Sequence, residues 1–286
     1  MSSLLTSAFC ILATGFFYVN EPVVDMRENP SKASKVVSQT SLSEEVSREK
    51  EQDGWSSIIT SDGYTGWVPS DALVHLQKPY DASLKTSRLV AHVYGVKDTE
   101  YGPIAKLPFA SPLQGLEIND ARWIAIVLPD GREGFIQRGD IAVEPELSNK
   151  ADLVQFSQKF LGLPYTWGGR SSFGYDCSGF VQMLYKQIGI NLQRDAKQQI
   201  LDNRLQSIAV NQLEPGDLLF FGKSEQKIMH VGMYIGDGQF IHATARENKP
   251  WIRKSSLSDM EWSGQQEVYY PYRTARRLLG GGPLHP

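Results

Sequence analysis

The chain holds 2 cysteines and 5 histidines among 286 residues, and one of the cysteines lies where thiol chemistry is easily built. Cys177 sits in "YDCSGF", after the glycine-studded "WGGRSSFG" and just before the apolar-periodic "FVQMLYKQIGI". Phe180, Val181, Leu184 and Ile188 share one helical face, so the spacing predicts a helix starting near Cys177 with Asp176 as its cap. A cysteine read alone is most often a small core hydrophobe. On the first turn of a helix, unpaired N–H groups and the helix dipole instead favour a thiolate. Ser178 and Gly179 are small and leave room for a substrate, and the Cys177 N–H is placed to donate to an oxyanion.

A nucleophilic thiol needs a base. His285 lies in the terminal "GGGPLHP", while His75 and His92 flank a linker, which leaves His230 and His242. These two bracket "HVGMYIGDGQFIHAT", a hairpin pattern. A three-residue loop, Gly236-Asp237-Gly238, sets Ile235 opposite Gln239 and His242 opposite Gly232, with His230 a diagonal neighbour on the same face. A two-residue loop would send the histidines to opposite faces. The chemistry expected of the three is a Cys177–His230 thiolate–imidazolium pair, with His242 holding the far ring nitrogen of His230.

The elements that must position these groups begin at about residue 150. "KADLVQFSQKFLG" has helical spacing, the Cys177 helix follows, and "DAKQQILDNRL" reads as a third, polar helix. "GDLLFF", the histidine hairpin and "EVYYPYRTARRL" read as strands, so the segment 150–275 is expected to be one α+β domain, with 276–286 a flexible tail. Upstream, "GWSSIITSDGYTGWVPSDAL" and "RWIAIVLPDGREGFIQRGDIA" repeat one grammar of strand, Asp-Gly turn, Gly-aromatic and strand. They predict two copies of a small barrel, at 1–77 and 84–147, joined by "QKPYDASLKT".

Composition narrows the class. A hydrophobic fraction of 41%, a charged fraction of 21% and a net charge of −3 describe a globular chain, with no nucleic-acid partner and no polybasic membrane patch expected. Two cysteines make no disulfide framework, and no residues have metal-ligand spacing, so neither metal nor organic cofactor is expected. The apolar "LLTSAFCILATGFFYV" has no Lys or Arg before it and no clear cleavage site, so it reads as a buried first strand rather than a secretion signal. A cytoplasmic monomer without stable membrane insertion is the expectation; a periplasmic or secreted protein is the alternative if that segment is a signal.

"LGLPYTWGGRSSFGYDCSGFVQMLYKQIGINLQRDAKQQ", "LEPGDLLFF" and "HVGMYIGDGQFIHA" together resemble the signature blocks of the NlpC-type cysteine peptidases. The repeated upstream segments resemble bacterial SH3-like domains, an arrangement similar to one subgroup, the γ-D-glutamyl-L-diamino acid endopeptidases. The resemblance implies a multidomain chain: two small all-β SH3-like barrels, then an α+β papain-like catalytic domain with a triad at Cys177, His230 and His242. It implies cleavage of the bond between D-Glu and the diamino acid (diaminopimelate) in peptidoglycan stem peptides that carry a free N-terminal L-Ala. The substrate-binding positions it implies are Tyr64, Glu44, Asp176, Ser178 and Tyr165. Asp176 and Glu44 are suited to a free amine, and the two tyrosines to walling the site. Gln193 stands where many relatives have proline. One rival reading is a secreted hydrolase that grips intact cell wall through its SH3-like domains. A non-catalytic binding protein is the other, and the intact Cys177, His230 and His242 speak against it.

Overall fold

The computed structural model describes residues 15–116, 120–141, 147, 150–263 and 270–279. The N-terminal segment with Cys10, the last residues with His285, and part of "EVYYPY" lie outside the described residues. Of the apolar N-terminal run, only its end is seen: β1 (Phe16–Val19) is a strand whose Tyr18 and Val19 are buried.

The first unit contains β1, β2 (Val23–Arg27), β3 (Val36–Ser41), β4 (Glu45–Gln52), β5 (Trp55–Ile59), β6 (Thr65–Pro69) and β7 (Leu73–Leu76), ordered β3-β2-β6-β5-β4-β1-β7. The second contains β8 (Leu84–Lys85), β9 (Val90–Tyr94), β10 (Pro103–Pro108), β11 (Pro112–Gly115), β12 (Trp123–Val127) and β13 (Glu133–Gln137), ordered β10-β9-β13-β12-β11-β8. Matched strand for strand, the second order reproduces the first apart from β7. In both, the turn between the last two long strands closes alike: Thr60 N–H donates to Tyr64 O, and Leu128 N–H to Arg132 O. Each copy alternates inward apolar with outward residues, giving one core around Met26, Ile58 and Val68 and another around Val93, Ile126 and Ile136, which Leu42 of the first unit joins. The intervening linker is pinned. Tyr80 donates to Val127 O at 2.5 Å, accepts from Gln114 N–H, and donates its own backbone N–H to Tyr18 Oη.

The third unit opens with α1 (Lys150–Ser157), then the two-residue strands β14 (Arg170–Ser171) and β15 (Gly174–Tyr175), then α2 (Cys177–Lys186) and α3 (Ala196–Gln199). An antiparallel sheet follows: β16 (Leu205–Ile208), β17 (Leu218–Ser224), β18 (Lys227–Gly236), β19 (Gln239–Thr244), β20 (Trp251–Ser256) and β21 (Tyr272–Leu278), ordered β16-β21-β17-β18-β19-β20. A short α4 (Met260–Ser263) precedes β21. Both faces of β17 are buried, which is why "LLFF" is a continuous apolar run. Leu218 and Phe220 meet Phe180, Val181 and Leu184 of α2, while Leu219 and Phe221 meet Trp262 of α4.

Two expectations change here. The helix read over "DAKQQILDNRL" stops at Gln199, because Asp202 accepts from the Arg204 backbone N–H and turns the chain into β16. The domain end at 275 and the tail from 276 also move. β21 continues through Arg276, Arg277 and Leu278, which pair with Ser207, Gln206 and Leu205, and Arg277 is held by the buried Asp217 at 2.8 Å.

Candidate active site

Asp176 caps α2 as its sequence suggests, accepting the Gly179 N–H at 2.7 Å, and this puts Cys177 at the first helical position. There its N–H has no carbonyl partner from the helix itself. The glycine after it serves the backbone rather than substrate access. A Cβ built on Gly179 would come 2.2 Å from the Gly169 carbonyl oxygen, so the helix could not seat against the loop with any side chain there.

The two histidines share a face, by a route the loop count did not foresee. β18 and β19 pair Met233 with Ile241 and Tyr234 with Phe240, then Gly236 with Gln239, leaving Ile235 as a bulge. The loop is therefore two residues, Asp237-Gly238, both with positive φ of 50° and 71°. The extra residue in the bulge restores the register that a three-residue loop would have produced. His242 then lies beside Gly232, where a built Cβ would approach His242 Cβ to 3.1 Å.

His230 Nε2 and His242 Nδ1 are 2.7 Å apart, and His242 Nε2 is 3.0 Å from Ser255 Oγ. Since Nε2 of His230 is engaged by His242, Nδ1 is the ring nitrogen left for a thiol. Cys177 Sγ accepts the N–H of Val231, the residue after His230, which brings thiol and base to one point. Trp262 stacks on His230 with ring centroids 5.1 Å apart and meets His242 edge-on at 4.9 Å. The imidazole pair is enclosed in aromatic side chains.

That enclosure decides the resting charges. Burial pushes the Cys177 thiol up to about 12, and the neighbouring Asp176 carboxylate acts in the same direction. Burial pulls His230 down to about 3, assisted by Arg246 and Arg253, and holds His242 well below its ordinary value. Burial thus acts against the thiolate–imidazolium pair that the helix dipole favours. The same shifts act on stability. Between the unfolded value near 6.5 and the depressed folded value, the unfolded chain binds more protons, so stability falls as pH falls through that window. Thermal unfolding of wild type and His242→Asn, compared at pH 7 and pH 4.5, should show a smaller acid-induced drop in the variant. Equal drops would contradict a neutral buried His242.

The substrate-binding candidates divide. Both oxygens of Asp176 meet Arg194, at 2.6 and 3.0 Å, and Ser178 Oγ lies between them, accepting from Arg194 and donating to Asp176. Arg194 is 1% exposed. Asp176 and Ser178 are thus held together by Arg194 at the start of α2. Glu44 is also committed: Thr40 Oγ1 and Ser41 N–H donate to one oxygen, and Arg170 lies 3.4 Å from the other. Arg170 further reaches Gln39 O, Gln182 and Asp62, tying the first β unit to the catalytic one. Both carboxylates assigned to an amine are paired with an arginine.

Tyr64 and Tyr165 do reach the site. Tyr64 Oη lies 3.5 Å from Asp195 Oδ1, across the boundary between the first and third units. Tyr165 is held through its N–H to Pro250 O, and burial raises its phenol, with the nearby Cys177 and Asp176 acting in the same direction. Asp195, half-buried, is the carboxylate that sequence reasoning missed. Its place before a short helix, with Gln198 Oε1 accepting its N–H, reads as an ordinary capping residue. Arg194, Ser255 and Trp262 had no local signal, since each acts on residues distant in sequence. Among the described residues no group of three or more His, Cys, Asp or Glu could hold a metal ion.

Comparison with known proteins matches this architecture. Residues 162–268 match the NlpC/P60 family and residues 22–74 the bacterial SH3 domain. A γ-D-glutamyl-L-lysine dipeptidyl-peptidase of Bacillus cereus is 30% identical over 273 residues, covering 86% of this chain and 76% of the relative. The protein of that name from Bacillus subtilis is 31% identical over 224 residues, covering 73% and 72%. In fold, the chain resembles the crystal structure of an NlpC/P60 family protein from Bacillus cereus, with a TM-score of 0.78 at 23% identity over 93% of this chain and 100% of that one. With these relatives the chain belongs to the NlpC/P60 family, with a bacterial SH3 domain ahead of the family's domain.

Proposed function

We propose that this chain is a thiol peptidase that hydrolyses the γ-D-glutamyl–L-diamino acid bond of murein stem peptides carrying a free N-terminal L-Ala. The observation that carries the reading is the Tyr64–Asp195 contact, which brings a carboxylate and a phenol from two units to one edge of the Cys177 site. Asp176 and Glu44 are paired with arginines, whereas the cation nearest Asp195, Lys197, is 68% exposed and well solvated. In this reading the Asp195 carboxylate receives the substrate amine beside Tyr64, and Tyr64 blocks a longer chain from continuing past it. Relatives named dipeptidyl-peptidases act where an N-terminal dipeptide is released, which agrees with a closed end two residues from the scissile bond.

In the reaction, Cys177 Sγ attacks the γ-carbonyl carbon of D-Glu as its proton passes to His230 Nδ1. The Cys177 N–H faces the developing oxyanion. Collapse breaks the C–N bond, and His230 returns the proton to the leaving amine of the diamino acid. Water, deprotonated by His230, then hydrolyses the thioester to a free γ-carboxylate and thiol.

The test is the ratio of kcat/KM for L-Ala-γ-D-Glu-diaminopimelate over its N-acetylated form. Asp195→Asn should lower that ratio roughly 10- to 150-fold, the range of a charge-assisted hydrogen bond. Tyr64→Ala should lower it by admitting the acetylated peptide. Unchanged ratios in both variants would favour the rival in which the β units merely grip intact wall, as would faster turnover of sacculi than of the free peptide.

The second β unit is read, in the same proposal, as a second SH3-like barrel at 84–147, on the strength of its strand order. Cytoplasmic action as a monomer completes the reading, because short free-amine peptides are breakdown products rather than intact wall. Cell fractionation and light scattering check it.

A further inference from the structure

The hydrogen-bond chain from the thiol does not end at His242. His242 on β19 pairs across the sheet with Arg253 on β20, and Ser255, two residues on, shares that face. Ser255 Oγ lies 3.0 Å from His242 Nε2 and accepts from Arg253 Nη1 at 2.8 Å. Arg253 Nη2 donates to Glu261 Oε1 of α4 at 3.0 Å, and Glu247 lies 3.6 Å away. His242 is fully buried, and Ser255 and Glu261 are each only 5% exposed, so water cannot readily substitute for any link.

We infer that Ser255 and Arg253 are positioning residues of the catalytic set. Ser255 takes the Nε2–H of His242, and Arg253 holds that hydroxyl as an acceptor while keeping His242 uncharged. This rests on the reading of Cys177 as nucleophile and His230 as base.

An arginine can only donate, and a hydroxyl has two lone pairs and one hydrogen. With Arg253 on one lone pair, Ser255 can still either accept from His242 or donate to it. When the thiol proton reaches His230 Nδ1, that ring carries hydrogen on both nitrogens. Its Nε2–H must then enter the lone pair of His242 Nδ1, 2.7 Å away. A neutral His242 therefore carries its proton on Nε2, and Ser255 must accept it. In the opposite arrangement His242 would carry its proton on Nδ1 and push that of His230 onto the nitrogen that has to receive the thiol proton. The base would be blocked.

Charge supports the same direction. The guanidinium of Arg253 stands on the His242 side of the pair and opposes a second protonation there, as it does more remotely at His230. Arg246, on the loop after β19, also acts on His230. On the helix side the charged groups are Asp176 and Arg194, already paired with each other. Glu261 and Glu247 balance Arg253 rather than the imidazoles.

Three measurements decide it. Nitrogen-15 NMR of the resting enzyme should show His242 protonated on Nε2. Ser255→Ala should lower kcat roughly three- to tenfold with little change in KM, the range of one neutral hydrogen bond, and Ser255→Thr should recover most of it. A merely structural tie between β20 and α4 would survive Ser255→Ala, because Arg253 and Glu261 remain. Arg253→Gln should move the acid limb of kcat/KM to higher pH, since a nearby cation has been removed from the imidazoles. An Nδ1–H tautomer of His242, or a Ser255→Ala enzyme with wild-type kcat, would overturn the inference. Failure of the wild type to cleave any murein peptide would overturn the substrate reading instead, and the NMR result would still decide this one.

Discussion

Cys177→Ala should remove hydrolysis altogether, a loss of about 10⁴-fold or more, with the fold intact. The expectation follows from where the thiol sits. It is half-buried at the start of α2, its backbone held by the Asp176 cap and its Sγ against the Val231 N–H. Taking away one sulfur there leaves the Phe180, Val181 and Leu184 contacts with the sheet in place, so the melting temperature should barely move. The electrostatics add a second readout. Burial pushes the thiol up and His230 down, so it acts toward a neutral resting pair. Thiolate absorbance in the resting wild type should therefore stay absent from pH 5 to 9, and thiolate should form only as substrate is attacked. A strong thiolate signal at neutral pH would mean that the resting enzyme is already an ion pair and that desolvation is not the controlling effect.

The two histidines should separate sharply under mutation. His230→Ala removes the base and should cost about as much as losing the thiol. His242→Ala should cost about 10- to 150-fold, because the imidazolium that forms on His230 loses a charge-assisted partner. The geometry further ranks the conservative replacements. His242 faces His230 through Nδ1, so the amide oxygen of asparagine falls close to the position of that nitrogen, whereas that of glutamine reaches toward Ser255. His242→Asn should therefore keep more kcat than His242→Gln. Steady-state kinetics on the free-amine peptide measures this. The reverse order, or an Asn variant as inactive as His230→Ala, would show that His242 does more than orient.

Much of the site was legible because its signals are local. Asp176, Cys177 and the apolar spacing behind them are a helix start readable over a dozen residues, and two histidines bracketing a Gly-Asp-Gly turn are a hairpin readable over fifteen. The repeated strand-turn-strand grammar likewise anticipates two sheets of matching strand order. Such features depend on neighbours in the chain, and period and capping chemistry report them directly.

Tertiary structure decided the rest, wherever a charge or a register was settled by distant residues. The bulge at Ile235 fixed which face both histidines share, and no local rule distinguishes it from a three-residue loop. Arg194 and Arg170 arrive from elsewhere in the chain to pair with Asp176 and Glu44, and Asp195 comes to lie beside Tyr64. Trp262, 32 residues beyond His230, closes over the imidazoles and, with the rest of the core, opposes the ion pair that the helix start favours. A sequence shows which groups can ionise, but their charge depends on desolvation and on partners, and both exist only once the chain has packed.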